Sequence, residues 1–130
     1  MKNIVFFGPP GAGKGTQARF LSDEIKVPHF STGDILRDKI KVQDSTSIEL
    51  KNIIDSGKLV PDRLLNEIVA EKISNNSGKG FILDGYPRTV EQYNFIENFF
   101  NSKQIKLDFI FNIKLDYEIL ENRIKKRAAE

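Results

Sequence analysis

Apolar positions fall in two rhythms along this chain, short unbroken runs and runs spaced by three or four. Asn3 to Phe7, NIVFF, is short and rich in β-formers, and predicts a strand buried on both faces. KGTQARFLSDEIK, from Lys14, carries Ala18, Leu21 and Ile25 at helical spacing and predicts a helix that Pro28 ends. His29 to Ser31 predicts a short second strand, and Ser31 or Thr32 stands where it can cap the helix GDILRDKI. A small helix near TSIELKNIID ends at Gly57. Pro61 then opens PDRLLNEIVAEKIS, with Leu64, Leu65, Ile68, Val69 and Ile73 on one side. NNSGKG breaks that helix. FILD reads as a buried strand, GYP as a turn, and TVEQYNFIENFF as a helix with Val90, Tyr93 and Ile96 turned inward. LDFIFNIK predicts a further strand, and DYEILENRIKKRAAE a last helix with Leu120 and Ile124 as its seam.

Strands that alternate with helices imply right-handed crossovers and a parallel sheet covered on both faces, so the class is α/β. Residues 31–60 break the rhythm with two small helices and no long strand. They read as an excursion from the core that could fold over a ligand. No internal repeat or low-complexity tract is visible.

Composition narrows the classes. With 130 residues the chain has the length of one domain, and 39% hydrophobic residues suffice for a core. The formal net charge of +2, from 20 basic and 18 acidic residues, argues against a dedicated nucleic-acid or membrane binder. There is no cysteine, which removes disulfides and cysteine-based zinc sites. The apolar run at the N-terminus is too short for a signal sequence, and no window nears the roughly 18 apolar residues of a membrane helix. A soluble, cytoplasmic protein is expected.

The chemistry concentrates in GPPGAGKGT, residues 8–16. A strand, then GxxxxGK, then a helix builds a phosphate cradle. Its glycines let backbone amides converge on an anion, the helix N-terminus adds its positive dipole end, and the lysine reaches the outer phosphates. The residue after Lys14 is Gly15, where the common pattern has Ser or Thr, and Thr16 follows. FILD is the second chemical site. An apolar strand that ends in an acid puts Asp84 at the carboxyl end, where ligands bind in open α/β sheets. There it can hold Mg²⁺, through water since that ion dehydrates reluctantly. An Asp that caps the next turn is the plainer alternative.

GPPGAGKGT, STGDILR, GKLVPD and DGYPRT, in that order, make the chain resemble the adenylate kinase family over all 130 residues. The resemblance implies a P-loop NTPase fold, a three-layer α/β arrangement around a parallel sheet, as a single domain over 1–130. Within it, 31–60 would be an inserted small helical region that binds the nucleoside monophosphate. It implies transfer of the γ-phosphate of ATP to AMP, giving two ADP, with Mg²⁺ and no zinc. ATP would meet Gly11, Ala12, Gly13, Lys14, Gly15, Thr16 and Arg127. AMP would meet Thr32, Arg37, Ile54, Lys58, Leu59, Val60, Gly85, Tyr86, Pro87, Arg88 and Gln92. Lys14, Arg88, Arg123 and Arg127 would be the catalytic charges, and Asp84 the metal residue.

Residue chemistry is compatible with each assignment. Arg88 can fork onto a phosphate, the Gln92 amide can match adenine's donor and acceptor edge, and Gly85 lets the backbone approach. Arg123 and Arg127 lie four apart on one helical face. Taken without the resemblance, Thr32 is equally well an N-cap, Arg37 a solvated helix arginine, and the arginine pair a solvated basic face. His29, the only histidine, reads as a strand-start residue with no role. The acceptor is already anionic, so the chemistry asks for no general base. Thr32, where related pyrimidine kinases tend to carry Ala, leans toward AMP. Another monophosphate kinase for CMP, UMP or GMP, or a non-catalytic nucleotide-binding fragment, stays open.

The family's chains continue beyond this ending, so a C-terminal strand and the lid are expected to be missing here. The strand LDFIFNIK would lie beside the first strand with an apolar outer edge, a route to self-association of the short chain. The full-length form is expected to be a monomer, without nucleic-acid or membrane partners.

Overall fold

The computed structural model describes residues 2–8, 13–76 and 78–112. The chain divides into two compact units, Met1–Phe30 with Lys79–Tyr86 and Leu107–Glu130, and Ser31–Gly78 with Pro87–Lys106.

The first unit is built on a parallel sheet. Its strands are β1 (Asn3–Phe7), β2 (His29–Ser31), β3 (Phe81–Asp84) and β4 (Phe109–Asn112), ordered β2-β3-β1-β4, with β2 ending at the unit boundary. β1 runs parallel to β3 and to β4. Successive strand residues point to opposite faces, and in NIVFF both faces are filled. Ile4 and Phe6 form a cluster with Ile82, Val27 and Ala18, and Leu21 and Ile25 pack against it. Ala18, Leu21 and Ile25 come from α1 (Lys14–Ile25) and form the expected stripe. Val5 and Leu83, paired in register on the other face, are buried as well. That is why the strand reads as an unbroken apolar run. Backbone bonds extend the ladder, from Phe81 N–H to the Lys2 carbonyl at 3.0 Å and from Ile82 N–H to the Pro28 carbonyl at 2.9 Å. β4 is an outer strand of the described sheet, and its Phe109, Ile110 and Phe111 are exposed. Phe109 and Phe111 stack on each other, and the Lys2 ammonium lies over the Phe109 ring.

The second unit is helical: α2 (Thr32–Val42), α3 (Ser45–Asp55), α4 (Asp62–Ser74) and α5 (Val90–Lys103). Local chemistry sets each start. The Ser31 hydroxyl accepts from Asp34 N–H, so Ser31 and not Thr32 caps α2. Asp44 caps α3 by accepting from Ser47 N–H at 2.8 Å. Pro61 precedes α4, and Thr89 caps α5 by accepting from Gln92 N–H at 3.1 Å. The predicted face of α4 is right, for Leu64, Leu65, Ile68, Val69 and Ile73 are all buried.

The predicted face of α5 is wrong in part. Ile96 is buried, but Val90 and Tyr93 are 77% and 53% exposed, and the seam is Gln92, Ile96 and Phe100. The reason is polar. The Gln92 amide is buried with partners at both ends, so a residue that reads as outward sits inside and rotates the helix by about one position.

Lys39 is a second buried polar group, 5% exposed, on α2. Its ammonium donates to Asp44 at 2.8 Å and to both oxygens of Glu71 on α4 at 3.1 Å. Lys72 to Asp38 and Arg63 to Glu49 add exposed ion pairs between the same helices' surroundings. Burial by itself would lower the Lys39 pKa; the hydrogen bonds and charges of Asp44 and Glu71 outweigh it, and the net shift is upward. Asp44 is held below the usual carboxylate range by Lys39 first and by Ser47 N–H second.

These shifts set a pH signature. The raised lysine stabilises fully below its unfolded value of about 10.4 and loses that contribution as pH rises through the folded value. The lowered carboxylate stabilises fully above about 3.9 and loses it as pH falls through its folded value. The difference in unfolding free energy between wild type and Lys39→Met, read by urea titration, should therefore be flat from about pH 5 to 9 and shrink on both sides. A difference that stays constant across the whole range would mean that the lysine network contributes nothing.

Candidate active site

In the first unit the site begins where β1 ends. Gly13 takes φ 83° and stands as the N-cap of α1, a left-handed conformation that favours glycine. A glycine cap has no side chain to offer the first amides of the helix, and the first turn of α1 holds no acid. Among the described residues no side chain caps those N–H groups, and such a helix start suits an anion. Gln17 N–H already bonds the Gly13 carbonyl at 3.0 Å, so the turn itself is formed.

Lys14, the first residue of α1, pairs with Oδ1 of Asp84, the last residue of β3. Oδ2 of Asp84 accepts from Nε2–H of His29, the first residue of β2, at 2.9 Å. The carboxylate side chain is 4% exposed. Burial pushes its pKa up, but the hydrogen bonds from His29 and Lys14 and the lysine charge more than offset this, and Asp84 lies below the usual carboxylate range. It is therefore an anion near neutral pH. The role for His29 was not legible in the sequence. It does start a strand, as expected, but only the pairing order of β2 beside β3 brings its ring to Asp84.

The same corner could take Mg²⁺ only in a hydrated form. A Cβ built on Gly15 would lie 4.0 Å from Oδ2 of Asp84, so position 15 faces the carboxylate and glycine keeps that approach open. Each carboxylate oxygen carries two lone pairs, and one on each is taken by Lys14 and His29. What remains fits a cation that keeps its waters, held by one carboxylate and by substrate phosphates. A dedicated protein cage does not fit, for no group of three or more His, Cys, Asp or Glu stands ready among the described residues.

In the second unit, one polar cluster surrounds the start of α5. The Gln92 carbonyl accepts from the Arg88 backbone N–H at 2.7 Å, and its amide donates to Oδ1 of Asp62 at 2.8 Å. Thr89 Oγ1 donates to Oδ2 of Asp62 at 3.1 Å. Arg88 itself is exposed.

A family model described as Adenylate kinase matches residues 6–130. The chain belongs to the adenylate kinase family. Similar proteins named Adenylate kinase include those of Bartonella tribocorum, 44% identical over 128 residues, and Methanocella arvoryzae, 45% identical over 125 residues. The first alignment covers 98% of this chain and 67% of that protein; the second covers 95% and 58%. A third, from a Mycobacterium species, is 44% identical over 126 residues, covering 96% and 70%.

Among the adenylate kinase motifs, the structure gathers Gly13, Lys14, Gly15 and Asp84 at one corner of the first unit, with Thr16 exposed on the same first turn. Gly85 follows at φ 87°, and Tyr86 and Pro87 are buried. In the second unit, Thr32 opens α2 partly exposed. Arg37 pairs with Asp34 across one turn and is 69% exposed; a Cβ on Gly33 would come within 3.2 Å of its Nη1. Ile54 and Leu59 are exposed, Leu59 at 94%, with Lys58 exposed and Val60 half-buried. Gln92 and Arg88 share the α5 cluster. Gly11, Ala12, Arg123 and Arg127 lie outside the described residues. Asp62 is the other residue that the sequence reading missed. It stands inside GKLVPD, but the motif carries no sign that its carboxylate meets Gln92, thirty residues on.

Lys14 thus has a structural duty beside any chemical one. Lys14→Met leaves the Asp84 carboxylate, among the described residues, with His29 and should lower stability by about 3 kcal/mol. In the double variant with Asp84→Asn, much of that loss should return. A double-mutant cycle by urea unfolding should give a coupling of about 1–3 kcal/mol; additive effects would show that the two groups do not depend on each other.

Proposed function

We propose that the protein is an ATP–AMP phosphotransferase that interconverts ATP and AMP with two ADP. The observation that carries the reading is the Lys14–Asp84 pair at the uncapped start of α1, inside a chain that matches the adenylate kinase family over residues 6–130. The chain spans 67% and 58% of the Bartonella and Methanocella relatives, so the reaction is proposed for the whole protein.

In this reading, Gly11 to Thr16 give backbone amides and the Lys14 ammonium to the phosphates of ATP, joined by Arg127. Asp84 would hold Mg²⁺ through water; when bound, that ion neutralises charge on the transferring phosphoryl group. The acceptor is AMP. Arg37 and Arg88 take its phosphate, while Thr32, Ile54 and Lys58 to Val60 border its base. Gly85 to Pro87 supply backbone beside it, and Gln92 supplies its amide. The attacking oxygen of AMP is already anionic, so no side chain needs to remove a proton. The work is positioning and charge stabilisation by Lys14, Arg88, Arg123 and Arg127. A cytoplasmic setting and a place in nucleotide synthesis belong to the same reading. Among the described residues, no helix is long and apolar enough to cross a membrane.

ADP formation in a coupled assay tests the reading directly. With AMP as acceptor it should exceed the rates with CMP, UMP and GMP. Tight ATP binding without ADP would leave a nucleotide-binding protein and no kinase. Arg88→Ala should raise KM for AMP on the order of 10- to 100-fold, the worth of a charge-assisted forked contact, and move KM for ATP less than about threefold. Equal effects on both would put Arg88 on the wrong substrate.

A further inference from the structure

The buried cluster at the start of α5 has a feature that the proposed reaction does not use. Gln92 is 5% exposed, and its carboxamide stands between two groups of fixed polarity. On one side is a backbone N–H, from Arg88, which can only donate; on the other is the Asp62 carboxylate, which as an anion can only accept. An amide turned by 180° would put N–H against N–H and oxygen against oxygen. Asp62 is in turn held by the Thr89 hydroxyl, and Thr89 by Gln92 N–H, so the ring of contacts closes on itself.

We propose that Asp62 is a specificity-determining positioning residue, which locks the Gln92 amide in one orientation so that the site accepts a 6-aminopurine monophosphate and rejects a 6-oxopurine one. The inference rests on the reading of AMP as acceptor. After its two contacts, Gln92 retains one N–H and one carbonyl lone pair among the described residues. Adenine presents a donor at C6 beside a ring acceptor. Guanine and hypoxanthine present an acceptor at C6 beside a ring N–H. The two edges thus need the amide in opposite orientations. A free amide would turn to suit either base; one held by Asp62 reads one and leaves the other with matched donors and matched acceptors. The carboxylate acts through Gln92 and touches no substrate.

The test is binding of AMP and IMP to wild type, Asp62→Asn and Asp62→Glu, with ATP binding measured in parallel. Asn is close to Asp in shape but can turn its own amide, so the lock is lost. Wild type should prefer AMP over IMP. Asp62→Asn should lose about tenfold of that preference, the scale of one paired set of hydrogen bonds, with ATP affinity unchanged. Asp62→Glu retains an acceptor-only group and should retain the preference. A purely structural Asp62 would weaken AMP, IMP and ATP together. A second measurement needs no variant: in wild-type NMR spectra the two Gln92 side-chain amide protons should shift with AMP and not with IMP. If Asp62→Asn still discriminates as wild type does, or the Gln92 protons ignore AMP, the lock is refuted while AMP binding stands. If wild type binds neither monophosphate, the proposed function fails and takes this inference with it.

Discussion

A carboxylate buried at the end of a strand is the constraint around which the first unit is arranged. Asp84 leaves water almost completely, and an unpaired charge there would neutralise itself or destabilise the fold. Two neighbours prevent this. Lys14 arrives from the first turn of α1, and His29 from the first residue of β2. Each depends on the other's element being in place. α1 must begin where it does, which Gly13 permits by taking a left-handed conformation. β2 must lie beside β3, which the sheet order provides. The first turn of α1 and an acid-tipped strand are therefore one electrostatic unit, arranged by satisfying that charge.

The second unit solves a similar problem with different groups. Lys39 is a buried cation compensated by two carboxylates that are themselves half-exposed, and Gln92 is a buried neutral amide compensated at both ends. Neither network leaves a polar atom stranded; among the described residues no buried side-chain nitrogen or oxygen lacks a partner. A partner for every such atom makes these networks specific, since each member admits few alternatives in rotamer or orientation. It also explains why apolar pattern alone misjudges the helices that carry them.

Much of the fold was legible because its signals are local. Runs of β-formers, spaced apolar residues, caps and glycines all act within a few positions, and they place β1, α1, α4 and β3 to within a residue or two. Lys14 and Asp84 were legible as candidates for the same reason, each at a junction whose local geometry is written in its neighbours. What could not be read is tertiary. Nothing near His29 says that its ring will meet residue 84, and nothing near Asp62 says that its carboxylate will meet residue 92. The inward face of α5 fails in the same way: Val90 and Tyr93 are apolar and exposed, while a glutamine takes the buried position because a partner from α4 waits for it.

The Lys14–Asp84 pair bears on how the proposed reaction could begin. A lysine that the proposed reaction assigns to phosphate is here paired with a carboxylate, which looks like a handicap for binding. The charge balance says otherwise. Were Lys14 to turn toward an incoming polyphosphate, Asp84 would retain the hydrogen bond from His29 on Oδ2, the oxygen that Gly15 also faces, and Oδ1 would be freed. A nucleotide that brings its own counter-cation would then return to Asp84 a positive neighbour in exchange for the one it takes. Asp84 would then keep a positive neighbour with the cation bound, and Lys14 an anionic one. A nucleotide without a cation offers no such exchange, and the buried acid would oppose the departure of Lys14. On this argument His29 matters most at the moment of exchange, because among the described residues its hydrogen bond to Asp84 does not depend on Lys14.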